Sequence, residues 1–496
     1  MENRGVTRPS SEKESSKHQE QKHHQGGSMS KENRLEMLNM HYKQTLWVYW
    51  MLIILGVWVI LSPLTFSYGK NIVQPSGGRS IWLSDEARVF LLTWSDIISG
   101  ILLIIFGWRS LTPNRPISRW ITCFIGIWLS TAPLIFWAPS AIAYMNATFV
   151  GALVVALSIL IPGMPNMIMY MKMGGDMPEG WSYNPSSWPQ RWIMIVLGFM
   201  GWMVSRYLGA FQMGYIDQMW DPFFGIESQK VLNSTMSHSL PISDGAFGAY
   251  AYTFEFLMGW MGATSRWRTM PWMVTFFGIL VIPLGLVHIF LVISQPVIVG
   301  HWCTLCLFAA AIMLPMIPLE IDEVIAMVQH MKNARKNGGK FWQIFWKGGM
   351  EHELDNDKRS PQLVDLPKKP KKVFNASVWG MSTPWTLVAA AIIGVIVMFV
   401  PGIFNVSIEK TPADIDHLAG ALIVIFSVIS MGEVIRVLRY VNILFALVLI
   451  IAPWFINDIN NGMLITNIVL GVLLIPLSIP KGKIKESYGF WNSYIH

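Results

Sequence analysis

The sequence predicts an all-α polytopic membrane protein of about twelve transmembrane helices, with a central four-helix bundle flanked by helical-hairpin repeats. Three observations predict this fold class. Of the 496 residues, 53% are hydrophobic and only 14% are charged, whereas a soluble domain has roughly 25% charged residues. The polar residues separate apolar runs that reach the roughly 20 residues needed to cross a bilayer. Related helix pairs also recur near both ends of the chain.

Twelve spans can be placed from these apolar runs. They lie near 46–67, 88–108, 119–137, 147–163, 191–210, 245–264, 272–294, 302–319, 384–403, 416–436, 440–456 and 463–480. The boundaries divide the chain into helices 1–4 at 46–165, a central domain at 190–330, a basic cytoplasmic linker at 331–380 and helices 9–12 at 381–482.

The first 45 residues are polar and cannot bury enough apolar surface to fold alone, so we predict a disordered cytoplasmic tail. This segment lacks the apolar core and cleavage site of a signal peptide, so we expect it to be retained. Its histidines, among them His18, His23 and His24, could bind a metal ion, but we predict no metal site in the protein.

The distribution of positive charge predicts that both termini are cytoplasmic, because short cytoplasmic loops collect Lys and Arg. With the N-terminus inside, the cytoplasmic side receives Arg109, Arg115, Arg119, Lys172, Arg266, Arg268, Arg436, Arg439 and the C-terminal lysines. Lys70 and Arg79 are exceptions in an outer loop. The net charge of +7 is thus explained by membrane orientation, and we expect no nucleic-acid partner.

A repeated unit organises the two ends of the chain. Each copy has a helix ending in Pro, a loop, and a second helix that we expect Asp or Asn to cap, with a Gly about one turn later for close helix approach. The four polar and glycine pairs are Asp96 and Gly100, Asn146 and Gly151, Asp416 and Gly420, and Asn467 and Gly471. These units resemble the SPW-repeat family of membrane modules, which implies an architecture and no known chemistry.

A Cys-Thr-Leu-Cys sequence, Cys303 to Cys306, begins the eighth span. Both sulfurs then lie within one helical turn, near unpaired backbone N–H groups and the positive end of the helix dipole, which favours the thiolate. The pair is therefore suited to thiol-disulfide exchange. The alternatives are two buried structural cysteines, or a metal site for which only His301 is adjacent, although zinc usually has four ligands. Cys123 lies alone in an apolar run and is expected to be a small buried hydrophobe.

Two ionisable residues, Glu255 and His288, fall inside predicted spans. Charged groups in hydrocarbon usually face an interior or a water-filled cavity, so both are candidate functional residues. The alternatives are a protonated, hydrogen-bonded Glu255 and a His288 that only fills space. The aromatic segment from Trp220 to Phe224 could cover an apolar ligand or rest at the membrane interface.

Three segments of the central domain resemble the vitamin K epoxide reductase family: Trp220 through Ser234, Pro241 through Tyr252, and Trp302 through Cys306. The order of these parts is more specific than any one of them. A helix is followed by an outer loop with a Ser, a Phe-Gly near the start of the second helix, and Cys-x-x-Cys at the start of the fourth. The resemblance covers four helices and implies a quinone-binding bundle.

The resemblance also implies a role for individual residues. Cys306 would face the quinone, and Cys303 would exchange with an outside dithiol. Asp244 occupies the place where the family often has an Asn that hydrogen-bonds the quinone oxygen. The other implied quinone-binding residues are Ser234, Phe247, Tyr252 and Trp302, with Glu255 and His301 as possible further site residues.

Two features depart from the family pattern. Members usually carry a second cysteine pair in the first outer loop, whereas the best-matching positions here are Trp220 and Ser228. The tyrosine expected one turn after the second active-site cysteine is Ala310. The pair would therefore receive electrons directly from a separate thioredoxin-like protein or a small thiol.

The leading hypothesis is a membrane thiol:quinone oxidoreductase. Electrons would pass from an extracytoplasmic dithiol through Cys303 and Cys306 to menaquinone or ubiquinone, in the inner membrane of a prokaryote with the lipid bilayer as surrounding partner. The alternative is a transporter or structural membrane scaffold in which the repeats are the working part. The few intramembrane charges and the paired cysteines argue against that alternative.

Overall fold

A computed structural model describes residues 31–113, 115–163, 175–349, 354–407, 409–456 and 460–495. Within these ranges the regular structure is helical, and the bridges Trp181–Tyr488 and Met381–Gly432 are isolated. The predicted all-α membrane class is confirmed. The histidines of the N-terminal segment that could have bound a metal lie outside the described residues: His18, His23 and His24.

The first repeat region contains four helices: α1 (Lys31–Thr65), α2 (Asp85–Ser110), α3 (Pro116–Ile135) and α4 (Ala141–Val155), the last continued by a π turn, Ala156–Leu160. Residues 31–44, which we predicted to be part of the disordered tail, are helical. This segment is rich in Leu, Met, Glu and Lys, which are strong helix formers. Ser84 and Ser140 cap α2 and α4 by accepting a hydrogen bond from the backbone N–H three residues later.

The central region contains α5 (Trp188–Gln212), α6 (Asp244–Trp260), α7 (Pro271–Val281), α8 (Pro283–Ile298) and α9 (Thr304–Lys336). Residues 213–243 join α5 to α6; we call them the cysteine-side loop, and they include a short helix, Ile226–Leu232. Helices α5 and α6 approach closely at a pair of glycines. A Cβ on Gly245 would lie 2.7 Å from the backbone nitrogen of Gly209.

The C-terminal region contains α10 (Trp385–Ile403), α11 (Thr411–Ile429), α12 (Val441–Ile451) and α13 (Asn461–Ser478). The segment predicted as a basic linker carries two short helices, Phe341–Lys347 and Pro370–Ser377. The remaining short helical segments are Ser76–Gly78, Arg266–Thr269, Leu363–Asp365, Glu433–Tyr440, Ala452–Trp454, Gly489–Trp491 and Asn492–Ile495.

Ten helical stretches among the described residues are long and apolar enough to cross a membrane. Helices α7 and α8 together form one of them, Pro271–Ile298. The two remaining predicted spans coincide with α3 and with α6, which has 17 residues and is shorter than the roughly 20 needed to cross the hydrocarbon core. The count of about twelve spans therefore stays a prediction.

The polar residues of the repeats do not cap helices, contrary to our expectation. Asp96, Asn146, Asp416 and Asn467 lie within α2, α4, α11 and α13, because those helices begin between about one and a half and three turns earlier, at Asp85, Ala141, Thr411 and Asn461. They instead form hydrogen bonds with residues of other segments of the chain. Asp96 accepts from the Tyr68 hydroxyl at 2.7 Å, and Asp416 accepts from the Asn467 amide at 2.7 Å. Asn146 accepts from the Trp58 indole N–H at 2.8 Å and donates to Ser62.

The repeat glycines do permit close helix approach, as the sequence predicted. A Cβ on Gly100 would lie 2.5 Å from the carbonyl oxygen of Gly56, and one on Gly420 would lie 2.5 Å from that of Gly394. The equivalent distances are 2.7 Å from Gly151 to the carbonyl oxygen of Gly126, and 2.8 Å from Gly471 to that of Ala446. All four helix pairs therefore cross at backbone contact, which a side chain of any size would separate.

We expect Gly420→Ala to lower the free energy of unfolding by about 1–3 kcal/mol, because the added methyl group overpacks the crossing of α10 and α11. The matched control is Gly402→Ala, since a Cβ on that α10 glycine meets no atom within 4 Å; this change should be neutral or slightly stabilising. Unfolding of both variants in detergent would be measured by titration with a denaturing surfactant. Equal effects of the two substitutions would contradict the close crossing.

Candidate active site

The cysteine pair lies at the N-terminal end of α9. Cys303 is the N-cap residue, and its Sγ accepts a hydrogen bond from the backbone N–H of Cys306 at 3.2 Å. The two sulfurs form a disulfide with their Cα atoms 5.2 Å apart. Cys303 is fully buried and Cys306 is 5% exposed. The sequence prediction that both cysteines share the first turn of a helix is confirmed.

An aspartate of the cysteine-side loop clamps the loop onto this helix start. The Asp221 carboxylate accepts the backbone N–H of Thr304 at 3.0 Å and the Thr304 hydroxyl. It also accepts the Ser228 hydroxyl and the backbone N–H groups of Phe223 and Phe224. Partial burial acts against ionisation, but these hydrogen bonds outweigh it and lower the pKa of Asp221 to about 2. The stabilisation from these hydrogen bonds to the ionised Asp221 carboxylate is therefore fully present above the ordinary aspartate pKa. It is lost only as the pH falls through about 2.

Trp302, directly before the cysteine pair, is held between two other parts of the chain. Its ring stacks on Phe224 of the cysteine-side loop with centroids 6.2 Å apart. It also meets the edge of the His417 ring, from α11, at 4.8 Å. His417 Nε2 lies 2.7 Å from the carbonyl oxygen of Ile293 in α8. One residue of the C-terminal repeat region thus braces both the cysteine helix and α8.

His301 forms an ion pair with Glu227 of the short helix in the cysteine-side loop. Glu227 also pairs with Lys230 at 3.0 Å. His301 is therefore occupied in holding this loop beside the disulfide. Among the residues that the structure describes, no group of three or more His, Cys, Asp and Glu side chains is arranged to hold a metal ion.

Asp244 belongs to a second polar group at the start of α6. Its carboxylate accepts hydrogen bonds from Gln212 and from Ser237, the latter at 3.1 Å. The Gln212 side chain in turn accepts the backbone N–H of Gly245 at 2.9 Å. Ser234 is linked to this group because its hydroxyl accepts the backbone N–H of Ser237. Two predicted site residues, Asp244 and Ser234, are thus brought together, although by contacts with their own loop and not with the cysteines.

Tyr252 connects α6 to the cysteine helix. Its hydroxyl lies 3.4 Å from the carbonyl oxygen of Ala309, one turn after Cys306. The position expected to carry a tyrosine, Ala310, is occupied by a small buried side chain, and the Tyr252 hydroxyl reaches the adjoining backbone. His288 meets the edge of the Tyr252 ring at 6.4 Å. Tyr252, which the resemblance implied as a quinone-binding residue, therefore lies beside the cysteine helix.

Phe247 and Glu255 complete the predicted set. Phe247 stacks on Tyr250 at 6.3 Å and remains 36% exposed. Glu255 is buried one turn along α6 from Tyr252. The hydrogen-bonded partner that we considered for its carboxyl group is absent from the described residues.

The N-terminal repeat region also holds the cysteine-side loop. The Arg79 guanidinium donates to the carbonyl oxygens of Ser237, Leu240 and Ile242, the last at 3.1 Å, and lies 4.8 Å from the centre of the Trp137 ring. Arg79 was an exception to the predicted charge distribution. Its positive charge is used to satisfy backbone carbonyls, which explains why an arginine is found in this loop.

Residues 192–321, which include α6 to α8, the cysteine pair and most of α5, match the model of the vitamin K epoxide reductase family. The central domain is a vitamin K epoxide reductase family domain. Residues 79–161 and 376–480 match the SPW repeat domain, so both predicted resemblances are confirmed. No curated protein and no solved structure matches the chain.

Sequence reasoning missed three residues that shape the site of this reductase-family domain: Asp221, Arg79 and His417. Asp221 stood in an aromatic segment that we interpreted only as a cover or interface anchor. A signal was available, because an aspartate that begins an Asp-Pro-aromatic loop is a common acceptor for nearby backbone N–H groups. Nothing local marked His417, whose contact with Trp302 joins two different domains.

Proposed function

We propose that the protein is a membrane thiol:quinone oxidoreductase. The observation that carries the proposal is a disulfide at the N-terminal end of a helix, inside a vitamin K epoxide reductase family domain. A thiolate formed there is stabilised by the helix dipole and by the nearby backbone N–H groups. This position suits reversible electron transfer better than a purely structural cross-link does.

The proposed reaction has two steps. A partner dithiol attacks the Cys303–Cys306 disulfide, so that the partner is oxidised to a disulfide and the pair becomes two thiols. The pair then gives two electrons to the quinone, which takes up two protons to become the quinol, and the Cys303–Cys306 disulfide forms again. Cys303 exchanges with the partner, and Cys306 faces the quinone.

The quinone would bind between α6 and the cysteine helix. Tyr252 supports this position because it is buried and its hydroxyl reaches the backbone one turn beyond Cys306. Asp244, Ser234, Phe247 and Trp302 would line the rest of the site. Menaquinone and ubiquinone both fit the proposal, since neither requires a group other than hydrogen-bond donors and apolar surface.

The electron donor would be a separate thioredoxin-like protein or a small thiol on the extracytoplasmic side. The cysteine-side loop carries Trp220 and Ser228 where a second cysteine pair would be needed to relay electrons. Ser228 donates its hydroxyl to Asp221 instead. This arrangement, with both termini cytoplasmic in the inner membrane of a prokaryote, would oxidise thiols outside the cytoplasm.

The experiment is reduction of a short-chain ubiquinone analogue by the purified protein with dithiothreitol, followed by absorbance. Wild type should turn over, and Cys306→Ala should reduce quinone no faster than buffer. Cys123→Ala is the matched control, because Cys123 is buried in α3 away from the pair and its loss should leave turnover unchanged. If folded wild type and Cys306→Ala were equally inactive, the enzyme proposal would be abandoned in favour of a transport or scaffold role of the repeats.

A further inference from the structure

Glu255 is an unusual residue for the interior of a membrane domain. It is 2% exposed, and neither of its carboxyl oxygens has a hydrogen-bond partner within the described part of the chain. Burying a polar group without a hydrogen-bond partner destabilises the folded protein. A leucine at this position would avoid that cost, so a carboxyl group here calls for a functional explanation.

Two buried glutamates, Glu320 and Glu323, lie further along the cysteine helix and extend the group that begins with Glu255. Glu320 of α9 is 2% exposed and lies within electrostatic range of both Glu255 and Glu323. One oxygen of Glu320 also has no hydrogen-bond partner among the described residues. Glu323 binds the Arg266 guanidinium through both oxygens and accepts the Ser186 hydroxyl. Ser186 precedes the first residue of α5, outside the spanning helix.

Glu320 and Glu323 are displaced from the cysteine pair along the long axis of α9. At 1.5 Å per residue, Glu320 and Glu323 lie about 21 Å and about 26 Å further along α9 than Cys306. Glu255 lies one turn along α6 from Tyr252 and within its electrostatic range. The Tyr252 hydroxyl then reaches the Ala309 carbonyl, one turn from Cys306.

We propose that Glu320 and Glu255 carry protons to the quinone from the side of the membrane opposite the cysteine pair. The inference rests on the proposed quinone reduction and adds a function to it. Two thiols become a disulfide and release two electrons and two protons on the cysteine side. The quinone takes the two electrons and receives two protons through Glu320 and Glu255, so each turnover moves charge across the membrane.

The proposed proton-carrying role explains why the surroundings of Glu255 and Glu320 differ from those of Glu323. Both oxygens of Glu323 accept hydrogen bonds from the Arg266 guanidinium, so they are engaged in a bidentate contact. Glu255 and Glu320 have oxygens free of such bonds and can alternate between the neutral and charged forms.

The test uses the full-length protein in phosphatidylcholine vesicles that contain a trapped pH-sensitive dye, potassium and valinomycin. Reduced glutathione is added outside together with a short-chain ubiquinone analogue. Only molecules whose cysteine pair faces outward can react with this impermeant thiol, so the vesicle lumen is the opposite side. We expect two protons to leave the lumen for each quinone reduced, as measured by dye fluorescence and quinone absorbance together.

Glu255→Gln and Glu320→Gln should each lower the number of protons taken from the lumen per quinone reduced at least tenfold. Glu255→Asp should retain part of the wild-type value. Asp416→Asn is the matched control, because Asp416 is equally buried but lies in the C-terminal repeat region; it should keep wild-type uptake. Quinol formation without any change in lumenal pH would overturn this inference and leave the proposed function intact. Uptake that survives both Gln variants would also overturn it, whereas absence of quinol in wild type would overturn the proposed function and the inference together.

Discussion

Arg266→Ala is expected to lower the free energy of unfolding by about 3–5 kcal/mol, the largest effect on stability among our predictions. Arg266 is 1% exposed. Its guanidinium donates to both oxygens of Glu323 and to the carbonyl oxygen of Met258 at 2.7 Å. Removing it leaves the buried Glu323 carboxylate without its bidentate cationic partner and with only the Ser186 hydroxyl of the donors described here, which costs more than the net value of the ion pair.

Surfactant titration of the folded protein, followed by circular dichroism, would measure this loss. Lys230→Ala provides the contrast, because the Lys230–Glu227 pair is half exposed and such pairs contribute about 0–1 kcal/mol. The double variant Arg266→Met with Glu323→Leu should recover most of the lost stability, since it leaves no buried charge. Equal effects of Arg266→Ala and Lys230→Ala would show that the Arg266 site is hydrated.

Asp221→Asn should make the reduced cysteine pair more reactive, with about a tenfold faster alkylation of Cys303 at neutral pH. The carboxylate occupies the backbone N–H of Thr304, the residue after Cys303, and adds a negative charge beside the thiol. Removing this charge stabilises the thiolate and lowers the thiol pKa, and a fall of one pKa unit is about a tenfold rise in thiolate. Stabilising the reduced form should also make the disulfide more oxidising.

The pH dependence of alkylation distinguishes this electrostatic effect from simple opening of the loop. Loss of charge should move the midpoint of the profile to lower pH, whereas opening alone would raise the rate at every pH. Glu227→Gln is the control in the same loop, because Glu227 binds His301 and Lys230 and makes no contact with Thr304. An unchanged midpoint in Asp221→Asn would contradict the role assigned to the carboxylate.

Features encoded within a few residues could be predicted from the sequence. The start of the cysteine helix was placed correctly because the Cys-x-x-Cys supplies its own capped turn, with Cys303 as the N-cap. The repeat glycines were also correct, since close helix approach depends only on a small residue at a fixed spacing. The predicted caps of the repeat helices were wrong, because Ser84 and Ser140, and not the conspicuous Asp96 and Asn146, cap α2 and α4.

The contacts that hold the site together could not be predicted from the sequence. Asp221 and Thr304 lie 83 positions apart, and Arg79 lies more than 150 positions from the carbonyl groups that it binds. No periodicity or local spacing relates such residues, because their proximity results from the packing of whole helices. Both contacts involve charges bonded to backbone groups, which any sequence in the partner loop would offer equally well.

The complete burial of Cys303 has a kinetic consequence for any electron donor. A sulfur with no exposed surface can be attacked only after the cysteine-side loop moves away, so opening of that loop precedes the encounter. The rate of reduction should then rise with donor concentration at first and level off at a ceiling that is the same for small thiols and for protein dithiols. The height of that plateau depends on the protein alone, because it equals the rate at which the hydrogen bonds between Asp221 and Thr304 break and the loop opens.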